Sequence, residues 1–301
     1  LHGGLRASIF TDNIQMVVIL ILLLISFIYI NSYTGSEFSF EFIKEKNPHL
    51  LSSSHMPSYT AGLTFFIAVA ATNLFHQGNW QRVFSAKNNR ILKSSLIYSS
   101  LITFVIVFWM GYTGLLSLSL NSKVIPDLAF FDLLLDKKNS AIVVAILILA
   151  MSLTLSTIDT LINAISSLII IDGKFVNKSL SGKEVKNKAN IIILLLSVLV
   201  FILASKGFSI LYLFLLADLL CCAAVITIFY GFFNKKINTK LAYYTIFIGL
   251  FSGLLFFPSQ NFQSSILVGN LISIEHFTPL ISANLLFLSF AISIIIPLII
   301  I

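Results

Sequence analysis

Residues 154–163 read Thr-Leu-Ser-Thr-Ile-Asp-Thr-Leu-Ile-Asn, and they lie inside an apolar stretch, 139–171, long enough to cross a membrane as a helix. A carboxylate at bilayer depth costs roughly 2.5–3.5 kcal/mol on insertion scales, so Asp159 is expected to face protein, water or an ion rather than lipid. On a helix, Ser156, Asp159, Thr160 and Asn163 follow i, i+3, i+4, i+7 spacing and form one polar stripe, with Thr157 beside it. Hard oxygen ligands in a row suit a small hard cation such as sodium, whereas transition metals favour imidazole or thiolate. Isolated serines and threonines bond back to their own helix, and an asparagine can tie helices together. That structural account leaves the carboxylate unexplained.

Outward from this stretch, composition sets the class. The chain of 301 residues is 57% hydrophobic and 10% charged, with 28 Phe, which is the composition of an all-α integral membrane protein and not of a soluble domain. Eight apolar stretches can be drawn, at 8–31, 60–81, 94–119, 139–171, 189–205, 207–233, 241–257 and 280–301, and they leave no room for a soluble domain. Pro57, Pro126, Gly207, Pro258 and Pro279 punctuate them. The net charge of +7 sits in short connections between apolar runs, where it reads as a topology signal, so no nucleic acid is expected as a partner. If the connections alternate sides, 13 basic residues fall on the side of Arg6 and 6 on the other. The basic side is cytoplasmic by the positive-inside rule, which makes this a multi-pass protein of the plasma (inner) membrane with a cytoplasmic N-terminal end. Cys221 and Cys222 are adjacent in an apolar segment and belong to no disulfide framework.

Three further constellations interrupt the lipid code. Asp12 and Gln15 stand three residues apart on one face of the first helix, where they either line an aqueous path or are hydrated at the interface. Asn73-Leu74-Phe75-His76-Gln77-Gly78-Asn79-Trp80-Gln81-Arg82 crowds amides, an imidazole and a glycine at the cytoplasmic end of the second stretch. A helix broken or loosened around Gly78 would free carbonyls for a cation or substrate, with Gln77 and, more weakly, His76 lining the path. Trp80, Arg82 and Lys87 are read as interfacial anchors. Asp218 is a second intramembrane acid, and it has either a structural bond to another helix or a role in coupling.

Together these residues resemble the sodium/solute symporter family, which includes sugar, proline, pantothenate, monocarboxylate and urea carriers. Gly3-Gly4-Leu5-Arg6-Ala7 with Thr11-Asp12 and Gln15 is similar to that family's fifth core helix. Gln77, Gln81-Arg82 and Ala86-Lys87 look like the end of its sixth, and Ser156-Thr157-Ile158-Asp159-Thr160 like its eighth. The resemblance implies part of a leucine-transporter-type core of two inverted five-helix repeats. In that mapping residues 1–301 form a single transmembrane domain and a fragment: the last helix of repeat one at 6–31, repeat two at about 60–233, and two trailing helices at 241–301. The chain begins with Leu1 rather than Met, and the first four core helices are expected upstream as missing N-terminal helices of the same chain.

The resemblance further implies Ser156 and Thr157 as hydroxyl ligands of sodium, with the carbonyl of Leu153. Asp12, Asp159 and Thr160 fall where some members hold a second cation, which would offset the repulsion of two converging carboxylates. Positions corresponding to the asparagine and aromatic gate of the sugar carriers read as Val69 and Thr72, which argues against sugar. Ala217-Asp218-Leu219 and Asp159-Thr160-Leu161 look more like the urea and polyamine branch. The function implied is sodium-coupled symport of a small polar solute by alternating access, with no covalent chemistry and no cofactor besides sodium as coupling ion. The alternatives are a transporter-like sensor domain of a signalling protein and an inactive truncated fragment.

Overall fold

The computed structural model describes residues 4–34, 40–121, 123–135, 139–176, 182–234, 237–260, 262, 265, 267 and 284–301. Among them every regular element is helical, apart from an isolated bridge between Pro258 and Ser265. Seven helices are long and apolar enough to cross a membrane. They are α1 (Gly4–Thr34), α3 (Met56–Phe75), α5 (Asn89–Leu120), α7 (Ser140–Val176), α8 (Gly182–Ala204), α9 (Ile210–Phe233) and α10 (Thr239–Phe256). The eighth expected span, 280–301, is described as α11 (Leu285–Ile300), of 16 residues, and its earlier residues through 283 lie outside the described residues. Short helices α2 (Phe40–Lys46), α4 (Gln77–Ser85) and α6 (Ala129–Leu135) complete the order. The chain is an all-α integral membrane protein.

Local signals account for the ends. Asn88 caps α5 by accepting from the Ile91 amide at 2.9 Å, and Asn238 caps α10 through Leu241 at 2.8 Å. Pro57 opens α3, where its missing N–H costs nothing. Gly207, at φ +69°, makes the turn between α8 and α9 in a conformation that other residues rarely adopt. At 37 residues α7 is about 55 Å long, well beyond the ~30 Å hydrocarbon core, so it extends past the bilayer. Phe66, Phe108, Phe201 and Phe233 are all more than 70% exposed, as side chains facing lipid should be.

The second apolar stretch is not one helix. His76 takes an extended conformation (φ −73°, ψ 101°), ending α3 at Phe75, and α4 starts at Gln77. A break is present as expected, but it falls at His76, and Gly78 lies buried inside the first turn of α4.

This break also divides the chain into two compact units. The first comprises Leu1–Pro48 and Gln77–Lys206, the second His49–His76 and Gly207–Ile301. In the first, α7 packs against α1, α4, α6 and α8, while α5 packs against α2 and α6. In the second, α9 packs against α3, α10 and α11 around a core of Ala68, Ala71, Tyr212, Leu215, Leu219, Cys222, Phe257 and Phe290.

Candidate functional site: an acid between three helices

Ser156 and Thr160 of the α7 stripe face α1 and α4 within the first unit. Ser156 and Thr160 lie one turn apart, so both reach the same neighbour region. Ser156 Oγ donates to Asp12 Oδ1 at 2.8 Å. The other carboxylate oxygen, Oδ2, lies 2.6 Å from Arg82 Nη2, and the same nitrogen donates to Thr160 Oγ1 at 3.0 Å. Asp12 is mostly buried at 17% side-chain exposure, whereas Arg82 is 44% exposed, so the guanidinium keeps one side open while neutralising the acid. A carboxylate removed from water is stabilised by a charge partner and by direct hydrogen bonds, and Asp12 has both.

This arrangement revises the reading of Arg82. Arg82, taken as an interfacial anchor, is instead the counter-ion of Asp12. Asp159, expected to share a cation with Asp12, is exposed and makes no hydrogen bond or ion pair among the described residues. The signal that could have found Arg82 was the rule that an intramembrane acid needs a partner: α4 carries a single arginine, and no lysine or acid.

Thr157 Oγ1 donates to the Leu153 carbonyl at 2.9 Å, and Thr154 bonds Ala150 in the same way at 2.8 Å. This is the back-bonding common in membrane helices. It also holds the Thr157 and Leu153 oxygens side by side, and donating a proton leaves the hydroxyl lone pairs available. The donor set of Ser156 Oγ, Thr157 Oγ1 and the Leu153 carbonyl is all hard oxygen and fits sodium.

Asn163 and Gln77 meet elsewhere in the same unit. Both line a groove of about 600 Å³, together with Gln81, Ser166, Lys186 and Asn190. Gln81 Nε2 donates to Ser167 Oγ, which fixes one wall. Gln15 stays apart from these bonds, its amide oxygen buried without a hydrogen-bond partner among the described residues.

The remaining candidates belong to the second unit. Asp218 is 6% exposed and accepts from Thr72 Oγ1 at 2.5 Å, so it bonds α9 to α3. His76, half-buried, sits at the break itself.

Comparison with known proteins gives these features a context. The chain is 29% identical over 233 residues to the spermidine transporter DUR31 of Candida albicans (strain SC5314), an alignment covering 76% of this chain and 43% of that protein. The chain thus spans less than half the length of this relative. No solved structure matches it. A family model described as the sodium:solute symporter family matches residues 1–249. The chain belongs to the sodium:solute symporter family.

Proposed function

We propose that this chain is part of a sodium-coupled symporter that moves a small polar organic solute, urea-like or another small metabolite, by alternating access. The observation that carries this reading is the bond from Ser156 to Asp12, which sets a hydroxyl of the α7 stripe against an intramembrane acid on another helix. Ser156, Thr157 and the Leu153 carbonyl supply one face of the sodium site. Asp12 and Thr160, with Asp159 on the exposed side of α7, form a second cation region in which Arg82 is the resident positive charge. The protein lies in the plasma (inner) membrane with the N-terminal end of this chain cytoplasmic, as the excess of basic residues on that side favours.

The test is sodium titration of solute uptake in the full-length protein. Ser156→Ala or Thr157→Ala raises the sodium concentration needed for half-maximal uptake, by about tenfold if one ligand contributes ~1.4 kcal/mol. Unaltered sodium dependence in both variants would overturn the assignment.

A further inference from the structure

We infer that His49 and His55, in the connection leading into α3, form an exchangeable site for a divalent metal ion of the zinc class, and that the bound ion clamps this connection. Both residues belong to the second unit, and neither takes part in the transport reading above.

The backbone between them is wound so that two imidazoles meet. His49 lies in a short 3-10 helix at Pro48–Leu51, and His55 caps the start of α3. The Ser52 amide donates to the His49 carbonyl at 3.3 Å, and the His55 amide donates to the Ser52 carbonyl at 3.1 Å, so the chain turns twice on the way. The hydroxyls of Ser52 and Ser54 are 2.8 Å apart, and Tyr59 of α3 donates to the Ser53 carbonyl at 2.9 Å, which fixes the connection to its helix. The two rings then stand 5.6 Å apart between centroids, inclined at 66°. Two imidazoles that share one tetrahedral ion, with Zn–N bonds of ~2.0–2.1 Å, have centroids about 5–6 Å apart. The observed separation falls in that range.

Each ring can offer a nitrogen. His55 Nδ1 lies 2.7 Å from Ser58 Oγ, and the tautomer in which Nδ1–H donates to that oxygen leaves the Nε2 lone pair for a metal. Such an outer bond is what orients ligating histidines. His49 is exposed, and rotation about its Cβ–Cγ bond turns a nitrogen towards the shared point while moving the ring centre little. Imidazole favours zinc, copper or nickel over magnesium and calcium, which seek carboxylates, and residues 47–59 contain no acid. Among the described residues no third histidine, cysteine or acid completes a cluster, so water fills the remaining positions. Two protein ligands with open positions make a site that exchanges its ion, in contrast to the closed four-ligand sites that hold zinc permanently.

The experiment titrates the purified full-length protein in lipid nanodiscs with zinc ion alone, and follows bound metal together with backbone hydrogen exchange across residues 49–59. His49→Ala and His55→Ala are each expected to weaken one zinc-binding step by roughly tenfold or more. His49→Cys, which supplies a thiolate ligand, is expected to restore that step, and so separates lost ligation from lost folding. Zinc is expected to slow exchange across 49–59 several-fold in the unmodified protein and to leave it unchanged in either alanine variant. Zinc binding untouched by both alanine variants would overturn the site. Binding that both variants abolish, with exchange in the unmodified protein unaltered by zinc, would overturn the clamp.

Discussion

Arg82 Nη2 lies 2.6 Å from Asp12 Oδ2 and 3.0 Å from Thr160 Oγ1, so one guanidinium nitrogen joins α4 to both α1 and α7. The same carboxylate takes the Ser156 hydroxyl on its other oxygen. A protein-borne cation therefore sits where a transported cation would find its acid. If Asp12 serves the proposed second cation region, an entering cation would compete with Arg82 for one carboxylate.

Competition of this kind predicts the direction of an arginine substitution. Arg82→Gln lowers the half-saturating sodium concentration for uptake. Because Arg82 is 44% exposed, the pair is screened by water, and the effect is confined to about 0.2–1 kcal/mol, or at most about fivefold. A sodium titration in which Arg82→Gln raises that concentration would show that the guanidinium organises the site instead of competing for it.

Asp159 is the complementary case. It is exposed and unbonded among the described residues, so Asp159→Asn should change unfolding stability by no more than about 0.5 kcal/mol. Transport should nonetheless respond, in the number of ions coupled per solute or in the pH profile of uptake. Charge-to-solute flux ratios and uptake across a pH series measure both. A variant with unmodified stoichiometry and profile would remove Asp159 from coupling.

The helices were legible in the sequence because a bilayer demands long apolar runs, and that signal is local. Asp12, Ser156, Thr160 and Asp218 were also legible, since each polar group at bilayer depth stands out against its neighbours. Partners were not. Nothing local in Gln77–Ser85 says that Arg82 reaches back 70 residues to Asp12, and its basic character fits an interfacial anchor equally well. The break was expected at Gly78 because glycine weakens helices, yet the conformational change falls at His76, where the chain passes from one compact unit to the other. Tertiary packing, which the linear pattern does not encode, set that position.

Thr72 and Asp218 offer a separate test in the second unit. The threonine hydroxyl bonds the buried acid instead of its own helix, four residues before the break. Thr72→Val leaves the shape of the side chain and removes the donor, at a cost of about 1–3 kcal/mol. Asp218→Asn keeps an acceptor oxygen for Thr72 and should be milder. Thermal unfolding of the purified protein in lipid nanodiscs ranks the two, and equal losses would argue that the carboxylate charge, more than the bond, holds α3 to α9.

Close helix packing in the second unit predicts a severe substitution. On α10, Gly249 and Gly253 repeat at i, i+4 and face α11, a small-residue spacing that lets membrane helices approach. A Cβ at Gly249 would lie 2.6 Å from Cγ of Pro297, and one at Gly253 would lie 2.9 Å from Cβ of Ser293. The proline ring is rigid and cannot swing away, and the Ser289 hydroxyl holds the two helices in register through the Gly253 carbonyl at 2.7 Å. Gly249→Ala must therefore separate α10 from α11, with an overpacking cost of about 1–3 kcal/mol. Pro297→Ala removes the obstructing ring atoms, so the double variant Gly249→Ala/Pro297→Ala should lose less stability than the two single losses summed. A double-mutant cycle on thermal unfolding measures this, and strict additivity would show that the two residues do not share the contact.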